Sequence, residues 1–351
     1  MQAALFHEHG GPEVVRVEDI PRPRPGPGDV LLRVEAAALN HLDLWVRRGL
    51  PIETVMPHIG GSDICGTVEE AGQGVDADVL GGRFVVDPSL ACGQCEWCAR
   101  GEAPLCPEYR ILGEHTQGGF AEYVVVPAAN LWPIPEDYPA ARAAAVPLAF
   151  LTAWRALVTR GRLAAGESVL ITGASGGVAT AAIQIAGHLG ATVYAVTSTA
   201  HVDRVRALGA HVVYDRTAED FSRALWRDTS KRGVDVVLDS VGEAVWEGCV
   251  RSLARGGRLV SYGATTGPRA VMDIRVLFWK QIDILGSTMS NRAEFQAAMR
   301  AVFEGPLEPV VARTLPLSEA RAAHAALEAG EVVGKLVLVP AAHGRGDTGA
   351  A

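Results

Sequence analysis

No stretch of this sequence is long and apolar enough to read as a membrane span. The most apolar region, residues 139–158, is interrupted by Arg142, Pro147 and Arg155, whereas a spanning helix needs about 20 largely uncharged residues. Basic charge is not in surplus either. The formal net charge is −8, which argues against a broad nucleic-acid or anionic-membrane surface but leaves room for a local basic patch that binds a phosphate. The opening residues, MQAALFHEHGGPEVV, lack a charged segment followed by an apolar one. They read as a strand and turn, not a secretory leader. There is no internal repeat and no low-complexity block. These absences leave a soluble cytoplasmic protein, with a small molecule as its partner and no nucleic acid or membrane. The last residues, 341–351, are small and polar and read as a disordered tail.

The composition is ordinary for a globular protein, with 48% hydrophobic and 21% charged residues. At 351 residues the chain is long enough for a sizeable core and two domains. Cysteine is scarce but concentrated. Four of the six cysteines, Cys92, Cys95, Cys98 and Cys106, lie in the run CGQCEWCARGEAPLC. Four thiolates on one loop can close a tetrahedral shell around zinc, and a closed shell leaves no position for substrate, so the metal is structural. Disulfides or four unrelated thiols are the alternative, but dense disulfides belong to small secreted domains. Cys65 and Cys249 read as small buried apolar residues.

Residues 1–149 read as mostly β, with short apolar runs at 30–38, 65–71, 83–86 and 121–126 between Gly and Pro punctuation. Near residue 150 the character changes to alternating strands and helices: SVLITGA, a helix over 177–189, ATVYAVTS, a helix over 201–208, then HVVYD, VDVVLDSVG and GRLVSYGA. Val- and Ile-rich strands alternating with helices imply a doubly wound parallel sheet. Helices are expected again at 292–303 and 318–329, followed by the strand KLVLVP.

The segment Ile171 to Ala179, ITGASGGVA, joins the first of those strands to its helix. Glycines there permit a tight turn and the close approach of a pyrophosphate, whose charge the helix N-terminus stabilises. Gly173, Ser175, Gly176, Gly177 and Val178 are therefore candidate cofactor contacts. An NAD site usually carries an acid at the end of the second strand, but here that strand ends Val196–Thr197–Ser198–Thr199. Hydroxyls accommodate a 2′-phosphate that an acid repels, so NADP(H) is favoured over NAD(H), with Ser198, Thr199, His201 and Arg204 around the phosphate. Ser198 and Thr199 also suit capping of the next helix.

These features, with GSDICGTVEEAG, GGFAEYVVVP, LAFLTAWRAL and GKLVL, resemble the medium-chain dehydrogenase/reductase superfamily from Met1 to about residue 340. The resemblance implies a GroES-like, mostly β catalytic domain at 1–149 and 286–351, with a zinc lobe at 91–107. Between its two parts it implies a Rossmann domain at 150–285, and it also suggests a homodimer or homotetramer. It places Val241 and Gly263 beside the nicotinamide and Lys335 within reach of the pyrophosphate. The superfamily's alcohol dehydrogenases hold a second, catalytic zinc by Cys, His and Cys. The matching positions here are Asn40, Ser62 and Leu148, and the proton-relay positions match Leu42 and Trp45. Leu148 has no donor atom, and amides and hydroxyls are weak zinc ligands.

Zinc acts as a Lewis acid on an alcohol or ketone oxygen. The expectation is instead hydride transfer without catalytic zinc to an activated C=C bond (an enone or enoyl thioester) or to a quinone. The Asn40 amide and Ser62 hydroxyl would donate to the enolate oxygen, and the Asn40-x-x-Asp43 spacing resembles the zinc-free reductases. Asp43 is a candidate catalytic or orienting carboxylate. His41, His58 and His115 could supply an acid, or with Asp63 an unusual metal site. Phe278 and Trp279 are candidates for a substrate pocket. An alcohol or aldehyde dehydrogenase with altered ligands, and a cofactor-binding protein without activity, are the alternatives.

Overall fold

The computed structural model describes residues 1–341; the expected tail lies outside the described residues except for Ala341. Among the described residues two large sheets organise the chain. No helix in them is long and apolar enough to cross a membrane.

The first sheet has seven strands, in the order Leu131–Pro133, Arg83–Val86, Asp63–Ala71, Asp29–Ala38, Lys335–Val339 and Val311–Pro316, with Tyr123–Pro127 also paired to Asp29–Ala38. The long strand Asp29–Ala38 is buried along most of its length, as its Val, Leu and Ala content suits. Strand Lys335–Val339 pairs antiparallel with it through Val337–Ala38 and Leu338–Ala37. The C-terminal segment therefore returns to the first sheet and brings Lys335 beside residues 38–40.

The second sheet has six strands, all parallel, in the order Val212–Asp215, Thr192–Thr197, Ser168–Ile171, Val234–Asp239, Leu253–Ser261 and Asp283–Gly286. This is the doubly wound order whose crevice opens at the carboxyl ends of the central strands. The fold class is as expected: a GroES-like, mostly β part and a Rossmann part. Helices Gly177–His188 and Pro147–Trp154 pack on one another within a shared core that includes Ile171, Ile183, Leu151 and Phe295. The helix expected at 292–303 spans Arg292–Phe303, opened by a capping box in which Asn291 and Glu294 exchange side-chain-to-backbone bonds.

The region expected to be mostly β also holds helices at His41–Arg48, Glu96–Ala99 and Ala140–Ala144, of which the first borders the site. The cause of helix His41–Arg48 is local, because the Asp43 carboxylate accepts the backbone N–H of Asn40 at 2.7 Å. The N-x-x-D spacing is thus also a helix start.

Candidate functional site

Three chain segments meet in the cleft between the sheets. Helix His41–Arg48 presents Asn40 at its N-terminus, strand Asp63–Ala71 presents Ser62 and Asp63 at its start, and strand Lys335–Val339 presents Lys335 at its start. The Lys335 ammonium donates to Asn40 Oδ1 at 2.5 Å and to Asp63 Oδ2 at 2.8 Å. Asn40 Nδ2 donates to the same Asp63 oxygen at 3.0 Å, and the backbone N–H of Leu148 donates to Asp63 Oδ1 at 2.6 Å. Asp63 is 0% exposed and Lys335 4%. A buried carboxylate persists when a cation and hydrogen bonds satisfy it, and Asp63 has both.

Asn40, Ser62 and Leu148 are the three positions aligned above with metal ligands. Asn40 and Leu148 both bond Asp63, and Ser62 precedes it in the chain. Ser62 Oγ and Thr152 Oγ1 are buried without a hydrogen-bond partner among the described residues. They are open donors beside this network, since Thr152 lies one turn from Leu148.

Of the catalytic and orienting roles expected for Asp43, its contacts are those of an orienting carboxylate. One oxygen takes the Asn40 N–H and the other the Gly61 N–H, at 2.9 Å. It is a positioning residue that fixes two backbone turns around the cleft. Burial pushes its carboxyl up to about 6 against those bonds. Burial, with Asp43 nearby, also pushes Glu114 up to about 7.

The three histidines do not converge on Asp63. His58 donates Nε2–H to the Gly113 carbonyl, and His115 Nδ1 accepts the Ile111 N–H. His41 is partly exposed, and burial, then the Lys335 charge, lowers its basicity. Among the described residues the metal-ligand geometry of three or more such side chains occurs at the four cysteines. Phe278 and Trp279, expected near substrate, lie on an exposed helix, Ile274–Lys280.

At the cysteine lobe the four Sγ atoms lie within 4.8 Å of one another. The close pairs are Cys92–Cys98 at 3.9 Å, Cys95–Cys98 at 3.6 Å and Cys106–Cys92 at 3.5 Å. A Zn–S length of about 2.3 Å gives tetrahedral edges of about 3.8 Å, so the set fits zinc. A disulfide would need about 2.05 Å, and all four thiols are free. Backbone N–H groups of Gln94 and Cys95 lower the Cys92 thiol, favouring the thiolate a metal binds.

The glycine turn is formed as expected. Gly173 has φ +58°, a conformation glycine adopts at no steric cost. Val241 packs over it: a Cβ built on Gly173 would stand 3.2 Å from Val241 Cγ2. Gly263 rests on Ser240. Gly176 caps helix Gly177–His188, whose first turn faces the crevice with free N–H groups. Val178 is partly buried against the core.

Asp239, not singled out from sequence, ties this region together. It accepts the Thr172 hydroxyl at 2.5 Å and the N–H groups of Val241 and Gly242 at 3.1 and 3.0 Å. The Lys335 stem lies against Gly177, but its ammonium bonds Asn40 and Asp63, not groups of the turn.

At the expected adenosine end, His201 is buried and donates Nε2–H to the Gly330 carbonyl at 3.0 Å. The Thr199 hydroxyl donates to Asp215 Oδ2 at 2.6 Å and lies 2.7 Å from the Thr217 hydroxyl. The second strand lacks an acid, but the third supplies one at its end, as HVVYD could have signalled. Ser198 is partly exposed and Arg204 exposed.

Residues 26–136 match the family described as alcohol dehydrogenase GroES-like domain, and residues 177–304 that described as zinc-binding dehydrogenase. An alcohol dehydrogenase of Schizosaccharomyces pombe is 30% identical, over 96% of this chain and 97% of its own. An acryloyl-coenzyme A reductase of Sulfurisphaera tokodaii is also 30% identical, over 93% and 96%. A crystal structure of an NAD-dependent alcohol dehydrogenase is 43% identical with a TM-score of 0.92, covering 97% of this chain and 99% of its own.

Proposed function

Because this chain belongs to the medium-chain dehydrogenase/reductase superfamily, we propose that it is an NADP(H)-dependent reductase of activated C=C bonds or quinones that uses no metal in its cleft. The observation that carries this reading is the Lys335–Asp63–Asn40 network, a buried ammonium held among the positions where relatives with a catalytic zinc carry ligands. The likeness to an acryloyl-coenzyme A reductase supports it. The likeness to alcohol dehydrogenases favours alcohol or aldehyde oxidation as a second reading.

The dinucleotide supplies hydride. The Gly173–Gly177 turn would hold its pyrophosphate, and Val241 and Gly263 would border the nicotinamide side. Hydride addition to the β-carbon of an enone places charge on the carbonyl oxygen. Donors already in position stabilise that charge without reorganisation, and removing one such donor costs about 10²–10³ in kcat. Asn40 Nδ2 and Ser62 Oγ are the donors in this cleft. The preference for the 2′-phosphate rests on the Ser198 hydroxyl and the Arg204 charge, with Asp215, which holds the Thr199 hydroxyl, opposing it.

The deciding experiment assays the purified chain with NADPH and with NADH on an enone and a quinone, against a simple alcohol with NADP⁺ and NAD⁺. Enone or quinone reduction unaffected by chelators is the expected result. Chelator-sensitive alcohol oxidation as the main activity would establish the second reading. Cofactor binding without any turnover would make the chain a non-catalytic member.

The cysteine lobe is proposed to hold one structural zinc. Elemental analysis should find one zinc per chain, and Cys106→Ser should lose it together with thermal stability. Two zincs per chain would overturn the metal-free cleft.

The proposed assembly is a homodimer. Strand Asp283–Gly286 is an edge of the parallel sheet, and beside it Ile274, Phe278 and Trp279 are 70%, 62% and 68% exposed. An open edge flanked by apolar side chains is a template for pairing. Light scattering should find a dimer for the native chain and a monomer for Trp279→Arg.

A further inference from the structure

The loop that follows the cysteine lobe carries a carboxyl group with no donor. Glu114 is 8% exposed, and among the described residues neither of its oxygens accepts a hydrogen bond. His115 Nδ1 lies 3.5 Å from Oε2. That nitrogen accepts the Ile111 N–H, so in the neutral ring it has no proton to give. Burial lowers the basicity of His115 and keeps the ring neutral. A buried carboxyl group without a donor costs stability unless a ligand supplies one.

This loop is clamped against the cleft. Gly113 has φ +78°, and a Cβ built on it would stand 2.7 Å from the Gly61 carbonyl carbon and 2.9 Å from Ser62 N. Its carbonyl accepts His58 Nε2–H at 3.0 Å, and its N–H donates to the Thr116 carbonyl at 3.1 Å. Ile111, at the start of the loop, belongs to the same apolar cluster as Leu42 and Leu148. Asp43, which holds the Gly61 N–H, is near enough for its charge to act on Glu114. Glu114 therefore stands beside the peptide that presents the open Ser62 hydroxyl.

We infer that Glu114 is a specificity residue: it accepts a hydrogen bond from a hydroxyl on the carbon next to the reacting carbonyl, so the preferred substrates are α′-hydroxy enones. The inference rests on the reductase reading for the identity of the reacting group. With the carbonyl oxygen on the Ser62 hydroxyl, the substituent one carbon away is the part of the substrate that reaches Glu114. A carboxyl group keeps an acceptor oxygen in either protonation state, so the contact does not depend on its charge. An alkyl group in that place would leave the carboxyl buried without a partner. Sites built to bond a substrate hydroxyl discriminate strongly against analogues that lack it. Glu114 makes and breaks no covalent bond in this role.

Binding is read without turnover, by calorimetric titration of the full chain saturated with NADP⁺, and separately with NAD⁺. The two probes are ethyl propenyl ketone and its α′-hydroxy derivative. The native chain should bind the hydroxy ketone about 10–100-fold more tightly, the worth of one hydrogen bond to a charged group. Glu114→Leu should abolish the gap, and Glu114→Gln, which keeps an acceptor oxygen, should restore part of it. Glu114→Leu should also unfold at no lower temperature than the native chain, because it removes a polar group that has no partner. Equal affinities in the native chain, binding of neither ketone, or an unchanged gap in Glu114→Leu would overturn the inference. So would an equal loss of affinity for both ketones in Glu114→Leu, which is the mark of a structural role. A chain that shows the gap but reduces neither ketone with NADPH or NADH loses the reductase reading and keeps the recognition site. A chain that binds and reduces both ketones alike keeps the reading and loses the inference.

Discussion

Asp63→Asn is expected to lower kcat for enone or quinone reduction by about 10²–10³-fold, the cost of losing one positioned donor, because Asp63 orients the Asn40 amide. The substitution nearly preserves volume and the planar group, so the backbone around Leu148 has little reason to move. What it removes is the anion that holds Lys335. The freed ammonium is then available to the cofactor, so the Kd for NADPH should fall while kcat falls. A purely structural role for Asp63 predicts the opposite for binding, a weakening together with the loss of rate. Steady-state kinetics at saturating NADPH, with fluorescence titration of the cofactor, distinguishes the two.

The second large effect concerns stability. Arg155 follows helix Pro147–Trp154 and is 5% exposed. Its Nη1 bonds both oxygens of Glu294, at 3.0 and 2.8 Å, and its Nη2 bonds Glu102 at 2.8 Å. Glu294 opens helix Arg292–Phe303, and Glu102 lies between Cys98 and Cys106. Arg155→Met should destabilise the chain by about 3–5 kcal/mol, because it strands a buried carboxylate. Zinc should also leave the cysteine lobe faster on chelation, since Glu102 loses its anchor. The exposed pair Arg275–Asp273 is the control: Arg275→Met should change stability by less than about 1 kcal/mol. Thermal unfolding and the rate of zinc release to a chromogenic chelator check both parts.

The features legible in the sequence are those with short-range causes. The cysteine spacing gathered four sulfurs, and the glycines made the turn. Val-rich strands made the parallel sheet, and Asn291 with Glu294 opened a helix where expected. The departures arise from long-range pairing. Lys335 and Asp63 are 272 residues apart in sequence, and their contact exists because the last strand joins the first sheet beside Ala38. His201 is held by a carbonyl 129 residues away. Asp215 reaches Thr199 because their strands are neighbours in the sheet, so reading the second strand alone missed it. Asn40 and Asp43 show a different difficulty. One spacing matched a pattern of relatives and also a helix start, and both oxygens of Asp43 are taken up by backbone bonds that no spacing reveals.

The contact of Gly177 with Lys335 bears on protein engineering. Dehydrogenase halves invite treatment as interchangeable modules, with a cofactor cassette from one enzyme and a substrate cassette from another. In this chain the seam runs through the site where the chemistry is prepared. Any side chain at position 177 would collide with the lysine stem and disturb the ammonium that holds Asp63. A transplanted Rossmann half with a bulkier residue there could bind its dinucleotide well and still disable the other half. Recombination across this seam should therefore carry the turn at 173–177 and the strand at 335–339 together.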